Sequence, residues 1–185
     1  MKTKLIKELM VPLKEYATVS EDATLKEAVV ALKQSQAVFD QNKYRHRAIL
    51  IYNKNQRIVG KVSMLAVLMG LEPKYDQMLS DKGPAHLGFT RKFQRAMIEQ
   101  LKLWEDPLEH ICEKSAQVKV KSFMTPLKEG EFIELQANLN AAIHQLVLGH
   151  HQSLMVTEND KVVGVLRLTD VFDVVAEAVL AGNIE

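Results

Sequence analysis

Six histidines and one cysteine are the side chains that most readily invite chemistry, and their spacing argues against it. His144, His150 and His151, or His110 with Cys112, form neither a zinc-finger spacing nor the His-Glu-x-x-His helix of a zinc hydrolase. "GPAHLGFT", starting at Gly83, has the GxxxxG spacing of a phosphate-binding loop. Phe89 stands where that loop needs a lysine to reach phosphate, and nothing before it reads as a buried strand. There is no GxSxG elbow for a serine nucleophile and no GxGxxG turn for a dinucleotide. Cys112, followed by Glu113 and Lys114 on an amphipathic stretch, reads as a half-buried side chain rather than a nucleophile. The residues therefore point to no chemical step, no bound metal and no required cofactor.

Composition narrows the class further. The chain has 185 residues, with 24 basic against 23 acidic side chains and a net charge of +1. Nucleic-acid binding draws on a basic face that releases counterions, and this balance offers none. The longest uncharged apolar run, "MLAVLMGL", is far shorter than the roughly 18 residues of a membrane span. The basic N-terminus "MKTKLIKELMVPL" is interrupted by Lys7 and Glu8 and lacks the apolar core of a secretion signal. One cysteine forms no internal disulfide, which fits a reducing, cytoplasmic setting.

The elements that must position any site come in two copies. "MVPLKEY" begins at Met10 and "MTPLKEG" at Met124. Aligned at an offset of 114, Ile6–Leu32 and Val120–Leu146 agree at ten of 27 positions, among them Met10, Pro12, Leu13, Ala28 and Leu32. The match resumes where "HRAILIYNKNQRIVGKV" from His46 meets "HQSLMVTENDKVVGVL" from His151, with one residue deleted in the turn. Within each copy, "YATV" or "EFIEL" predicts a short strand. Thr24 with Glu27 forms a capping box that opens a helix, and Asn138 takes the same place in the second copy. "AILIY" or "SLMVT", a polar turn, and "IVGKV" or "VVGVL" predict a hairpin. "MLAVLMGL" or "LTDVFDVVAEAVLAGN" predicts a closing helix, the second ending at a Gly-Asn stop. One unit alone cannot cover both faces of its sheet, so two are expected to pack together.

Residues 73–119 separate the copies. "GPAHLG" reads as a loop, and Phe89, Phe93, Met97, Leu101 and Trp104 form a helical apolar stripe. Residues 89–104 carry net charge +3 and residues 105–118 carry −3, with Pro107 breaking the two. Opposite charges predict helices that close on one another or on the core; the alternative is a partner-docking or lid helix.

The order of (I/V)K–x–x–M–x–P, strand, helix, strand, (I/V)VG and helix, found twice, resembles the cystathionine-β-synthase (CBS) domain. Two in tandem resemble the CBS pair, or Bateman module, over residues 6–72 and 120–181. The resemblance implies an α+β fold of two β-α-β-β-α repeats related by pseudo-twofold symmetry, with a helical insert between them. Repeat one spans 1–72, the insert 73–119 and repeat two 120–185. It implies a non-catalytic regulatory module, two clefts between the repeats, and a regulatory ligand such as AMP, ADP, ATP or S-adenosylmethionine. The expected partners are a second copy of the chain and a regulated protein, with neither nucleic acid nor membrane. The alternative is a scaffold that keeps the fold, has lost its ligand sites and docks a partner protein.

The family's ligand motif, Gly–x–(apolar)–Ser/Thr–x–x–Asp, places a hydroxyl at a helix start and a carboxylate on the ribose. A helix start offers N–H groups to phosphate, and a carboxylate accepts two hydroxyl hydrogen bonds. The first copy reads Gly60–Lys61–Val62–Ser63–Met64–Leu65–Ala66 and lacks the carboxylate. The second reads Gly164–Val165–Leu166–Arg167–Leu168–Thr169–Asp170 and lacks the hydroxyl. The resemblance therefore assigns ligand contacts to Asp170, Arg167, Thr169 and Ser63, and phosphate-facing roles to His46, Arg47 and His151. Against these stand plainer roles: a helix cap for Ser63, and a charge facing the helix dipole for Asp170.

Overall fold

The computed structural model describes residues 5–38, 46–72, 74–75, 90–103 and 105–182. The first repeat contains α1 (Ile6–Leu9), β1 (Val11–Pro12), a 3-10 turn (Leu13–Glu15), β2 (Thr18–Ser20), α2 (Leu25–Val38), β3 (Ala48–Tyr52), β4 (Ile58–Ser63) and α3 (Met64–Leu71). The insert contributes α4 (Arg91–Leu101) and α5 (Leu108–Ser115). The second repeat holds a 3-10 turn (Val120–Ser122), β5 (Thr125–Pro126), a second such turn (Glu129–Glu131), β6 (Phe132–Glu134), α6 (Leu139–Gly149), β7 (Ser153–Glu158), β8 (Lys161–Arg167) and α7 (Leu168–Gly182).

The local signals act as the sequence predicts. The Thr24 N–H and hydroxyl both donate to Glu27, and the Glu27 N–H donates back to Thr24 Oγ1, opening α2. Asn138 Oδ1 accepts from the Ala141 N–H at 2.9 Å at the start of α6. The β7–β8 hairpin turns on Asn159 and Asp160, both at positive φ, the two-residue turn whose twist matches that of the strands. The β3–β4 turn is longer and holds Gln56 at φ 57°. The one-residue difference between the copies is thus a change of turn type.

What the repeat does in space goes further than packing. Each sheet has four strands, in the orders β2-β3-β4-β5 and β1-β8-β7-β6. The short strand of each Met-x-Pro string pairs with the other repeat's sheet: Pro12 opposes Gly164 and Pro126 opposes Gly60. The leading residues cross over as well. Ile6, fully buried, packs in the second repeat's core with Leu154, Val156 and Leu166. Val120, its equivalent, packs in the first with Ile49, Ile51 and Val62. A third cluster, Val11, Tyr16, Leu50, Met155 and Val165, joins the two sheets.

The insert closes partly on the core. Ile111 is buried, and the Ser115 hydroxyl donates to the Leu71 carbonyl at 3.0 Å, fastening α5 to the end of α3. Lys114 meets Asp106 at 2.8 Å within the insert. Of the expected stripe, Phe93 is exposed and Met97 and Leu101 are half-buried, while Leu103 just past α4 is buried. Phe89, Trp104 and the "GPAHLG" loop lie outside the described residues. Cys112, expected half-buried, is exposed, because α5 turns Ile111 and Ser115 inward instead. Among the described residues, no helix is long and apolar enough to cross a membrane.

Candidate functional site

Two helix starts meet at one cavity. Strand β4 runs directly into α3 at Ser63–Met64, and β8 runs directly into α7 at Arg167–Leu168. Both junctions, with the residues that precede β3 and β7, line a cavity of about 410 Å³ between the repeats. Equivalent positions of the two copies thus face one space near the pseudo-twofold axis. Each helix turns the positive end of its dipole toward it, while the Met64 and Leu168 N–H groups donate to the Arg47 and Gln152 carbonyls.

The predicted site residues divide into a wall and a backing. Ser63, Arg47, His151, Arg167 and Thr169 line the cavity. Ser63 also caps its helix, with Oγ accepting from the Ala66 N–H at 3.0 Å. His46 and Asp170 do not reach the surface of the cavity. His46 is fully buried, its ring 4.2 Å from that of Tyr16. Asp170 accepts from Arg167, with Nε to Oδ2 at 2.6 Å and Nη2 to Oδ1 as a second bond. The side chains of this pair are only 9% and 15% exposed. Arg167, at the position of the missing hydroxyl, thus takes both oxygens of the carboxylate three residues on.

Sequence reasoning missed Tyr16, Lys61, Glu131 and Gly149. Lys61 on β4 meets Glu131 of the second repeat at 2.8 Å, and Glu131 is buried. His151 Nδ1 stands 3.7 Å from the same carboxylate oxygen. Gly149 leaves room for this imidazole, which occupies the space a Cβ there would need. The missed signal was asymmetry between the copies. Tyr16 and Ala17 align with Gly130 and Glu131, and Lys61 aligns with Val165, so charge was added where the repeat otherwise matches.

Among the described lining residues, Arg47, Lys61 and Arg167 face a single carboxylate, Glu131. The cations act on their neighbours, but burial acts more strongly. Burial pushes the Tyr16 hydroxyl up to about 12, with Arg167 opposing and Asp170 assisting. Burial first, then Arg167, hold His46 below the usual histidine value, so it is neutral at pH 7. As pH falls, the unfolded chain takes this proton before the folded one. The contribution is full above about pH 6.5 and is lost below it, by at most about 1.4 kcal/mol per pH unit. Melting temperatures at pH 7.5 and 5.5 are expected to show a smaller acid loss for His46→Phe than for the parent chain. An equal loss in both would remove His46 as the acid-sensitive group.

Comparison with known proteins agrees with this architecture. The family model described as "CBS domain" matches residues 6–72. The solved structure of CBSX2 in complex with AMP is similar at TM-score 0.56 and 16% identity, covering 94% of this chain and 97% of that one. The CBS-pair protein CBSX2 from Arabidopsis thaliana gives 0.59 and 16%, covering 96% and 97%. The CBS domain of a CBS domain containing membrane protein from Sphaerobacter thermophilus gives 0.61 and 16%, covering 94% and 88%. No curated protein matches the sequence.

Proposed function

We propose, from the premise that this chain is a tandem CBS pair, that it is a regulatory module with no chemical step, holding an adenine nucleotide in the cleft between its repeats. One observation carries the reading: two helix starts and the side chains of Arg47, Lys61 and Arg167 converge on one cavity of about 410 Å³. Met64, Leu65 and Leu168 give the same cavity apolar surface against which a base can pack. The AMP bound by a protein of this fold supports the choice of ligand. Charge ranks the candidates. AMP, ADP and ATP bring anions to a cationic wall, whereas S-adenosylmethionine brings a sulfonium cation. Thermal melting of the purified chain is expected to show a saturable rise with ATP or ADP. At one hundred times Kd the gain is about 2.7 kcal/mol, or roughly 5–10 °C for a chain of this length. No rise with AMP, ADP, ATP, NAD or S-adenosylmethionine would defeat the nucleotide reading and favour a protein-docking scaffold.

The outer faces of α3 and α7 fit the expected second copy. Leu65, Leu68, Phe172 and Val179 are all exposed there, apolar surface that association would remove from water. Both helices start at the cavity, so a ligand that shifts their starts biases how two copies pack. The double variant Leu65→Glu, Phe172→Glu is expected to be monomeric by light scattering at tens of micromolar. A parent chain already monomeric there would overturn the dimer. The exposed, free Cys112 suits a cytoplasmic setting.

A further inference from the structure

We propose that the cleft reads the phosphate groups of its ligand and is indifferent to the ribose diol. It rests on the nucleotide reading above and names the part of the nucleotide that is recognised. A vicinal diol is held by paired acceptors, most tightly by a carboxylate that takes both hydroxyls. The second repeat has a carboxylate at the fitting position, Asp170, but both of its oxygens accept from Arg167. Asp170 is also absent from the described cavity lining, so a diol could reach its remaining lone pairs only by pushing in beside a half-buried, charge-assisted pair. The first repeat has Ala66 at that position. Glu131, the one carboxylate among the described lining residues, is tied to Lys61 at 2.8 Å and backed by the Lys128 N–H.

The donors point the other way. Arg167 lines the cavity from the start of α7, Lys61 from β4 and Arg47 from the residue before β3. Asp170 holds the Arg167 side chain in place and so acts on the ligand only through it. The arrangement selects a multiply charged phosphate ester by the charges of these three side chains and the positive ends of two helix dipoles.

Isothermal titration of the full chain with ATP, 2′,3′-dideoxy-ATP, inorganic tripolyphosphate and adenosine tests this. ATP and dideoxy-ATP are expected to bind within about threefold of each other, and adenosine at least tenfold more weakly, since each lost charge-assisted contact is worth roughly ten- to a hundredfold. Arg47→Ala, altered at an exposed side chain that leaves the fold in place, is expected to weaken ATP and dideoxy-ATP equally. Dideoxy-ATP binding tenfold or more below ATP would overturn the inference while leaving the nucleotide reading intact. Tripolyphosphate binding as tightly as ATP would support anion recognition and remove the adenine from the reading. Adenosine matching ATP, or no binding by any of the four, would overturn the inference, the latter outcome together with the nucleotide reading.

Discussion

Gly164→Val is expected to cost about 3 kcal/mol or more of stability and to lower the melting temperature by roughly 6–12 °C. Gly164 lies on β8 opposite Pro12 of the exchanged strand β1. A Cβ placed there would stand 2.7 Å from the Val11 carbonyl oxygen and 2.7 Å from Met10 Sδ. The sulfur sits on a flexible side chain that can turn aside, but the carbonyl is backbone. Strand β1 would have to leave the sheet. Its departure would strip cover from Val165 and disturb Val11, which join the two sheets. A Cβ at Gly60 would likewise stand 2.9 Å from Met124 Sδ and 3.1 Å from the Thr125 carbonyl oxygen, a slightly looser fit. Gly60→Ala is therefore expected to be the milder of the paired Ala variants, and Met124→Ala to relieve it more than Met10→Ala relieves Gly164→Ala. Gly182 near the end of α7 has nothing within 4 Å of its Cβ position. Its Ala variant is expected to be neutral or slightly stabilising, because Ala loses less chain entropy in a helix. Gly164→Val melting within about 2 °C of the parent chain would show that the exchanged strand does not hold the repeats together.

That exchange marks the limit of what the sequence made legible. Periodicity, the Thr24–Glu27 box, Asn138 and the turn residues are local signals, and the structure places their elements where those signals put them. Doubling of the unit was visible too, because identity at a fixed offset needs no structure. Which repeat's sheet receives Met10–Pro12 is not a local property. Alternation and propensity read the same whether β1 pairs with β4 or with β8, and Ile6 is equally apolar in either core. The exchange is read from the pairing of Pro12 with Gly164 and of Pro126 with Gly60, where each glycine meets the methionine of the other copy. Both glycines and both methionines stand in the conserved spacing of the two copies, but nothing along the chain says that they touch across them. The site shows the same division. The helix starts that build the cavity were legible, and with them Ser63, Arg167 and Thr169. The Lys61–Glu131 contact joins residues 70 apart, and no spacing rule reaches that far.

Asp170→Ala is expected to destabilise the chain by about 3 kcal/mol while leaving its affinity for ATP within a few-fold. The two expectations come from one contact. Arg167 is buried and delivers two hydrogen bonds to Asp170, so removing the carboxylate leaves a charge in a poorly hydrated place. Removing one partner of such a pair costs more than replacing both. The double variant Arg167→Met, Asp170→Leu is accordingly expected to recover most of the stability in chemical denaturation, while binding ATP at least tenfold more weakly for want of the guanidinium. Asp170 also lies in the first turn of α7, where a negative charge faces the positive end of the helix dipole. That contribution, about 0.3–1 kcal/mol, is smaller than the pair and is lost in the double variant as well. A carboxylate that instead gripped the ligand would give the reverse pattern. Asp170→Ala would then melt near the parent chain and lose ATP binding by tenfold or more, and the double variant would bring no recovery. Denaturation and titration on the same three proteins separate the two roles. The geometry favours the first, because a carboxylate whose two oxygens both accept from a neighbouring guanidinium has its strongest acceptor directions already filled.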